Sequence, residues 1–234
     1  MDLNDRQQEA VDYGAGPLLV VAGAGSGKTR TLTARLTQLI ARGVPPERIL
    51  AITFTNKAAE EMANRVAQGA PPRGNPQNAP AIGTFHSFGA RILRAEARAF
   101  GRTNAFTIFD DDDSLSLLKK IAKAIRSDGG DPAPPALVLR SAYRMKNNLA
   151  SPEAERDPAA RAMLLRYETL LMEQNAFDFG DLIEKPVRLF RRDTGALAAY
   201  QGKYSHILVD EYQDVNPAQY ELVKLLAGAH RNLA

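Results

Sequence analysis

Apolar residues in this chain come in short runs, each followed by an amphipathic stretch. The runs with the length of buried strands are Leu18–Ala22, Ile49–Phe54, Ala81–Phe85 and Ile207–Asp210. After the first run, Leu32, Leu36 and Leu39 recur at helical spacing. The helices predicted after the later runs are Asn56–Ala67, Ser87–Phe100 and Asn216–Leu226. Strands alternating with helices predict an α/β fold whose parallel sheet is covered on both faces.

Two stretches interrupt this alternation. Gly69–Pro80 is rich in Pro, Gly and Asn, which is typical of a loop. Residues 110–175 carry no strand signal and are predicted to be helical, with a break at the Pro- and Gly-rich Asp128–Pro135. We therefore expect a core domain formed by residues 1–109 and 176–234. An all-helical domain, residues 110–175, is expected to be inserted into it.

Composition narrows the function only slightly. The 234 residues carry a net charge of +3 with a pI of about 9.1, which permits a nucleic-acid partner without requiring one. The polar start of the chain lacks the apolar segment of a signal peptide, and cysteine is absent. No apolar run approaches the roughly 20 residues of a membrane helix. These features together predict a cytoplasmic protein.

The strongest chemical signal is a glycine-rich segment between the first predicted strand and helix. It reads Ala22-Gly23-Ala24-Gly25-Ser26-Gly27-Lys28-Thr29, which fits a phosphate-binding P-loop with Ala at its first position. Its glycines let successive backbone N–H groups turn toward phosphate oxygens, and the helix that follows adds its positive end. Lys28 is expected to reach the β- and γ-phosphates and Thr29 to bind Mg²⁺. The alternative is a glycine-rich turn without a ligand.

A P-loop needs a carboxylate for its metal, and the last apolar run ends in Asp210-Glu211. Ligands of open α/β sheets bind at the carboxyl ends of the strands, where these acids are expected to emerge. Asp210 is predicted to hold Mg²⁺, and Glu211 to act as the general base on the attacking water. The alternative is a pair of solvated acids in a turn.

Read together, these motifs resemble the superfamily 1A DNA helicases of the UvrD/Rep/PcrA kind. Gln7, within Leu3-Asn4-Asp5-Arg6-Gln7, resembles the adenine-reading Q motif, and a carboxamide matches the N6 and N7 edge of adenine. Arg30 matches the family arginine that lies against the adenine ring. Asp210-Glu211-Tyr212-Gln213-Asp214 resembles motif II, in which Gln213 and Asp214 link the nucleotide to the rest of the motor. The resemblance thus implies ATP and Mg²⁺ as cofactors.

The resemblance also implies contacts with single-stranded DNA. The residues concerned follow the second and third predicted strands, in segments resembling motifs Ia and Ib: Thr53, Phe54, Thr55, Asn56, Lys57, Thr84, Phe85 and His86. Aromatic rings give stacking platforms worth roughly 1–3 kcal/mol per base, and hydroxyls hold phosphates. Without the resemblance, core packing is the better interpretation for Phe54 and Phe85, and a surface or capping role for His86.

Three further segments are less specific. Asp178-Phe179-Gly180-Asp181-Leu182 resembles another segment of the same family. Asp110–Asp113 is interpreted as the acidic start of a helix rather than as a calcium loop, which needs Gly and Glu at positions held here by Leu115 and Ile121. The basic residues of one predicted helix either follow a DNA backbone or form a solvated face; they are Arg140, Arg144 and Lys146.

The resemblance covers nearly the whole chain and implies the first third or so of a 3′–5′ helicase. Residues 1–109 and 176–234 would be domain 1A and residues 110–175 domain 1B, with domains 2A and 2B absent. The implied partners are single-stranded DNA, junctions of single- and double-stranded DNA, and repair proteins. Since the family's second domain supplies arginines to the γ-phosphate, we expect these residues alone to bind nucleotide weakly and hydrolyse it very slowly. The alternatives are the motor of a recombination helicase–nuclease and a non-enzymatic binding module.

Overall fold

The computed structural model describes residues 3–23, 25–69 and 79–234. Within these ranges the chain forms two compact units. The first consists of residues 1–88, 193–215 and 223–234, and the second of residues 89–192 and 216–222. No helix in the described part of the chain is long and apolar enough to cross a membrane.

The first unit contains a three-stranded parallel sheet in the order β2-β1-β5. Its strands are β1 (Ile49–Thr53), β2 (Ala81–Thr84) and β5 (His206–Val209). The register pairs Thr53 with Thr84 and Ile52 with Val209, so all three strands end at the same edge of the sheet. The residues that follow the three strands therefore lie at this same edge of the sheet; they are Phe54, Phe85 and Asp210. The parallel α/β architecture is confirmed.

Helices α1 (Asp5–Asp12), α2 (Lys28–Ala41) and α3 (Asn56–Gly69) belong to the same unit, as does α9 (Thr194–Lys203). Helix α2 buries Leu36 and Leu39 against β1 and α3, in a core that includes Ile49, Met62 and Leu208. Each fully buried Leu or Ile contributes roughly 1.5–3 kcal/mol, so this core fixes α2 and the loop before it on the sheet.

The predicted strand Leu18–Ala22 is wrong. These residues form no strand, and Leu19 and Val21 are 70% and 86% exposed. A strand needs a ladder of hydrogen bonds, whereas Leu18 N donates one isolated bond to Leu233 O at 2.8 Å. This run is therefore apolar in composition, but its residues are neither buried in a core nor paired with a neighbouring strand in this structure.

The second unit is built mainly from helices: α5 (Asp111–Ser127), α6 (Pro135–Asn147), α7 (Pro158–Glu173) and α8 (Asp181–Arg192). Its core is formed by apolar residues of α5, α6 and α7, with Tyr167 and Leu171 fully buried. Two short strands, β3 (Thr107–Phe109) and β4 (Ala176–Asp178), pair in parallel. The sequence missed both, because three residues carry too little periodicity to be recognised.

Helix α4 (Phe85–Glu96) is followed by a 3₁₀ turn over Ala97–Phe100, so the predicted helix Ser87–Phe100 consists of two pieces. Helix α10 (Pro217–Ala227) and the break before α6 lie where the sequence placed them. The acidic helix start is confirmed, since Asp110 accepts a hydrogen bond from Asp113 N at 2.9 Å.

Residues 110–175 are mainly helical as expected, yet the compact unit that contains them consists of residues 89–192 and 216–222 and includes the two strands. The assignment of residues 110–175 as a separate inserted domain therefore stays a prediction.

Candidate nucleotide site

The glycine-rich loop lies at the start of α2, in the first unit. Gly25 and Gly27 have φ angles of 73° and 84°, in the left-handed region that favours glycine. The Ser26 hydroxyl donates to the Gly23 carbonyl at 2.6 Å and closes the turn. Ala24, one of the predicted loop residues, lies outside the described residues. At Gly25 and Gly27 the backbone thus adopts a conformation that glycine takes more readily than other residues.

Lys28 and Thr29 are the first two residues of α2, and their side chains contact different groups. The Lys28 ammonium donates to the Ala22 carbonyl at 3.2 Å and to the Gly23 carbonyl at 3.4 Å, so it is folded onto the loop. The Thr29 hydroxyl donates to Oδ2 of Asp210 at 2.9 Å. This contact brings together two residues that are 181 positions apart in sequence, both predicted to bind Mg²⁺.

The oxygens of Thr29 and Asp210 fit a magnesium ion. Adjacent ligands of an octahedral Mg²⁺ lie about 2.9 Å apart when each is about 2.1 Å from the metal, which matches the observed separation. Mg²⁺ is usually bound by one or two protein groups together with substrate phosphates. Within residues 3–23, 25–69 and 79–234, no three His, Cys, Asp or Glu side chains are grouped as a metal site.

The acidic pair follows β5 directly. Asp210 is 6% exposed, and its backbone N–H donates to Ile52 O at 2.9 Å, which continues the pairing of β5 with β1. Glu211 has a φ of 49°, an uncommon conformation for a residue other than glycine. Its carboxylate accepts a hydrogen bond from the Gln213 amide at 2.5 Å. The chain therefore turns sharply after the strand, and Gln213 holds the Glu211 carboxylate.

Gln7 is placed beside the loop by α1. Its amide nitrogen donates to Ser26 O at 2.9 Å, and its amide oxygen accepts from Arg30 Nη2 at 3.1 Å. The same oxygen accepts from Asn4 N at 3.0 Å, as part of a capping box at the start of α1. The two residues predicted to read adenine are thus in direct contact next to the phosphate loop.

The segment after β1 combines exposed and buried side chains. Thr53 is fully buried and its hydroxyl donates to Thr55 O at 3.0 Å. The Thr55 hydroxyl accepts from Ala58 N at 3.1 Å and caps α3. Phe54 is 36% exposed, and Asn56 and Lys57 are exposed. The exposed side chains of this segment are therefore Phe54, Thr55, Asn56 and Lys57.

The segment after β2 is more enclosed. The Thr84 hydroxyl accepts from Ser87 N at 3.2 Å and caps α4. Phe85 is 2% exposed, and its ring packs edge-on against Phe54 with centroids 5.8 Å apart. His86 is half-buried, and burial lowers its pKa. Phe85 therefore presents almost no face to a base and supports Phe54 from behind.

In the second unit, the structure corrects the interpretation of Lys146 as a DNA-tracking residue. Its ammonium lies 2.7 Å from Asp178, 2.9 Å from Asp181 and 2.7 Å from Glu168, and its side chain is 7% exposed. Burial by itself lowers the pKa of Lys146, but these carboxylates hold it well above its ordinary value. A cation paired in this way is not available to a DNA backbone.

Sequence reasoning missed this buried ion cluster. Asp178 and Asp181 are both fully buried, and Asp181 N donates to Asp178 Oδ1 at 2.9 Å. Lys185 adds contacts to Asp181 at 3.3 Å and to Glu168 at 3.1 Å. The spacing of Asp181 and Lys185, one helical turn apart, was the available signal. Arg144 of the same predicted basic face lies 3.2 Å from Glu155.

A glycine-rich loop that opens a helix, with its threonine hydrogen-bonded to an acid at the end of a parallel strand, defines the P-loop class of nucleotide-binding proteins. The UvrD/REP helicase N-terminal domain model matches residues 3–234. The chain belongs to this family, and the resemblance drawn from the sequence motifs is confirmed.

Curated relatives include the ATP-dependent DNA helicase PcrA of Staphylococcus epidermidis strain ATCC 35984, which is 42% identical over 240 residues. PcrA of Staphylococcus aureus strain Mu50 is 41% identical over 239 residues. Both alignments cover 99% of this chain but only 32% of the relative. The chain thus spans about a third of the length of the curated relatives it matches.

Proposed function

We propose that this chain is the N-terminal, ATP-binding motor portion of an ATP-dependent DNA helicase. The full protein would move 3′ to 5′ on single-stranded DNA and unwind duplex DNA in repair or replication. The observation that carries the proposal is the 2.9 Å contact between Thr29 and Asp210, which unites the phosphate loop with the acidic motif. Family membership and the PcrA relatives support it.

In the proposed mechanism the phosphates of ATP lie against the backbone of the loop formed by Ala22, Gly23, Ala24, Gly25, Ser26 and Gly27. Lys28 leaves the carbonyls of Ala22 and Gly23 and pairs with the β- and γ-phosphates. Thr29 and Asp210 would hold Mg²⁺, which when bound would neutralise phosphate charge. Glu211 takes a proton from the attacking water, and its hydrogen bond from Gln213 orients the carboxylate.

Adenine recognition requires Gln7 to change partners. Its amide oxygen accepts from both Asn4 N and Arg30, so both lone pairs are engaged. Accepting a hydrogen bond from the N6 amine of adenine therefore displaces one of these donors. Arg30 is the side chain that the family places against the adenine ring, and its movement onto the ring would release the Gln7 oxygen.

We also propose that the surface after β1 and β2 binds single-stranded DNA and junctions of single- and double-stranded DNA. Phe54 would stack on a base, while Asn56 and Lys57 would hold phosphates. Buried Thr53, Thr84 and Phe85 would support this surface from beneath, exposed Thr55 would lie on it, and half-buried His86 would lie at its border. Repair proteins as further partners and a cytoplasmic location also stay proposals.

The domain assignment is part of the proposal: residues 1–109 and 176–234 as domain 1A, and residues 110–175 as domain 1B. We further propose that these 234 residues alone bind nucleotide weakly and hydrolyse it slowly, since the family takes its γ-phosphate arginines from domain 2A. A steady-state ATPase assay with and without single-stranded DNA tests this. Turnover of the isolated chain at several per second in response to DNA would overturn it.

Replacing Glu211 by Gln in the full-length protein tests the helicase function. We expect the rate of ATP hydrolysis to fall by about 10²–10⁴, the usual contribution of a general base, while ATP binding is retained. Glu47→Gln, at an exposed acid, is the matched control and keeps full activity. A binding module predicts no ATP hydrolysis in the unsubstituted protein and no effect of the substitution.

A further inference from the structure

Arg35 is a buried cation on α2 that pairs with backbone rather than with an acid. The residue as a whole is 4% exposed. Nη1 donates to the carbonyls of Ala10 at 3.0 Å, Val11 at 3.4 Å and Tyr13 at 2.7 Å, and Nη2 donates to Gly14 at 3.2 Å. Among the ion pairs of the described ranges none involves Arg35. Burying a charge is costly unless it is compensated, so these four carbonyls are the partners that make the arrangement stable.

The carbonyls belong to the C-terminal end of α1 and the turn after it. The end of a helix carries unpaired carbonyls and the negative end of the helix dipole, both of which favour a guanidinium. Helix α1 has only eight residues, fewer than an isolated helix needs to persist in water. Its position therefore depends on its contacts with α2, and Arg35 supplies the buried polar contact.

The two ends of α1 are linked to the same rigid element. At its start, Gln7 contacts Ser26 and Arg30, at the loop and first turn of α2. At its end, the carbonyls of α1 contact Arg35, seven residues after Lys28 and thus about two helical turns further along α2. Arg35 thereby fixes how far α1 extends along α2, and this determines where the Gln7 amide lies above the loop.

A second link between the helices provides a comparison. Arg42 lies 2.6 Å from the Asp12 carboxylate and donates to Asp12 O at 2.9 Å. Both side chains of this pair are 42% exposed, so solvent and salt weaken it. Arg42 therefore connects the same two helices at the surface, while Arg35 connects them in the interior.

From this geometry we infer that Arg35 is a positioning residue: it fixes α1 on α2 and thereby sets the preference of the site for adenine over other bases. This inference rests on the proposed role of Gln7 in ATP binding. A pair of hydrogen bonds to a base edge requires placement within about 0.5 Å, which a shifted α1 does not provide. The phosphates contact the loop itself, so their binding does not depend on α1.

The test measures dissociation constants of the 234-residue chain for MgATP, MgGTP and Mg-tripolyphosphate. The variants are Arg35→Lys, which keeps the charge but lacks the fork of donors, and Arg35→Gln, which keeps only an amide. We expect the ratio of GTP to ATP dissociation constants to fall by about 5–10-fold in both, the range of one to two lost base contacts. Tripolyphosphate affinity should change by less than about twofold, since its contacts are unaltered.

Arg42→Gln is the matched control and should keep the wild-type ratio. Gln7→Ala tests whether Arg35 acts through Gln7, because Arg35→Lys should have no further effect on the ratio once the Gln7 side chain is removed. Circular dichroism and thermal unfolding establish that each variant is folded.

Each outcome has a distinct meaning. A wild-type chain without preference for ATP over GTP contradicts the proposed adenine site itself. A wild-type chain with that preference, together with folded Arg35 variants that retain it, overturns the role of Arg35. So does an equal loss of affinity for all three ligands, or the failure of both variants to fold, since either shows that Arg35 supports the fold as a whole.

Discussion

Two regions of this molecule contain the same set of charged residues, which is a lysine together with two acids at the end of a parallel strand. In the first unit they are Lys28 with Asp210 and Glu211, after β5. In the second they are Lys146 with Asp178, the last residue of β4, and Asp181, three residues later. Lys146 lies within 2.9 Å of both acids and is buried with them. Lys28 instead contacts carbonyls of its own loop, while Asp210 binds Thr29.

The difference separates a structural cluster from a candidate site. In the second unit Lys146 and Lys185 lie at contact distance from carboxylates, and Asp178 and Asp181 are fully buried. In the first unit the half-buried lysine and the acids keep their charges for other partners, and the backbone at Glu211 adopts an uncommon conformation. Buried ions that pair with one another depend on each other, because removing one leaves an uncompensated buried charge, whereas charges that are not paired can bind a ligand.

The largest effect that this comparison predicts is on Lys146. Replacing it by Met keeps most of the unbranched side chain but removes the ammonium, which leaves Asp178 and Asp181 buried without their main partner. We expect the free energy of unfolding to fall by about 3–5 kcal/mol, the usual result of removing one member of a buried ion pair. Urea denaturation at pH 7 measures this.

Lys120→Met, at an exposed position of α5, is the matched control and should change the free energy of unfolding by less than about 0.5 kcal/mol. If Lys146→Met is as stable as Lys120→Met, the buried cluster does not stabilise the second unit and the contrast with the nucleotide site fails.

A second, smaller effect is the acid sensitivity that Asp181 confers. Burial alone raises its pKa, but Lys146 and Lys185 outweigh burial and bring it from 3.8 to about 2. A carboxylate with a lowered pKa stabilises the fold above its unfolded-state pKa, and this stabilisation is lost as the pH falls toward 2. The expected loss is about 2 kcal/mol between pH 5 and pH 2.

Unfolding curves of the wild type and of Asp181→Asn, recorded at several pH values between 6 and 2, isolate this contribution. The variant should lose less stability on acidification than the wild type. Asp131→Asn, at an exposed acid, should follow the wild-type curve. Parallel curves for the wild type and Asp181→Asn would show that Asp181 is not held by Lys146 and Lys185.

The residues of the candidate site can be predicted from the sequence more completely than the structure that surrounds them. Lys28, Thr29 and Asp210 belong to motifs whose spacing reflects the chemistry, so their meeting could be expected before the structure. Gln7 and Arg30 required the family resemblance. Strand β1 and the helix starts were visible because hydrophobic periodicity and capping residues act locally.

What the sequence did not reveal depends on contacts between distant residues. The run at Leu18–Ala22 has the composition of a strand but lacks a ladder in this structure. The cluster at Lys146 joins residues from α6, α7 and α8 that no local pattern connects. Arg35 could have been recognised from the sequence, since it lies between Leu32 and Leu39 in the apolar stripe of its helix, where a charged residue is unusual. Its partners are carbonyls, which sequence patterns do not display.

The smallest effect on stability is expected from replacing Lys28. It gives the clearest contrast with Lys146, whose replacement should have the largest effect. Replacing Lys28 by Ala removes two hydrogen bonds to loop carbonyls at 3.2 and 3.4 Å, both long. The free energy of unfolding should therefore change by about 0.5 kcal/mol or less. Binding should suffer instead, because the phosphates lose their main cation. Thermal unfolding with and without MgATP measures both quantities on one sample.

For the wild type, MgATP at 100 times its dissociation constant should stabilise the fold by about 2.7 kcal/mol. At the same concentration Lys28→Ala should show little of this stabilisation, while Lys203→Ala, at an exposed lysine of α9, should show all of it. A Lys28 variant that is strongly destabilised without nucleotide would place Lys28 with Lys146 as a structural cation. The distinction between paired and available charges would then no longer separate the two regions.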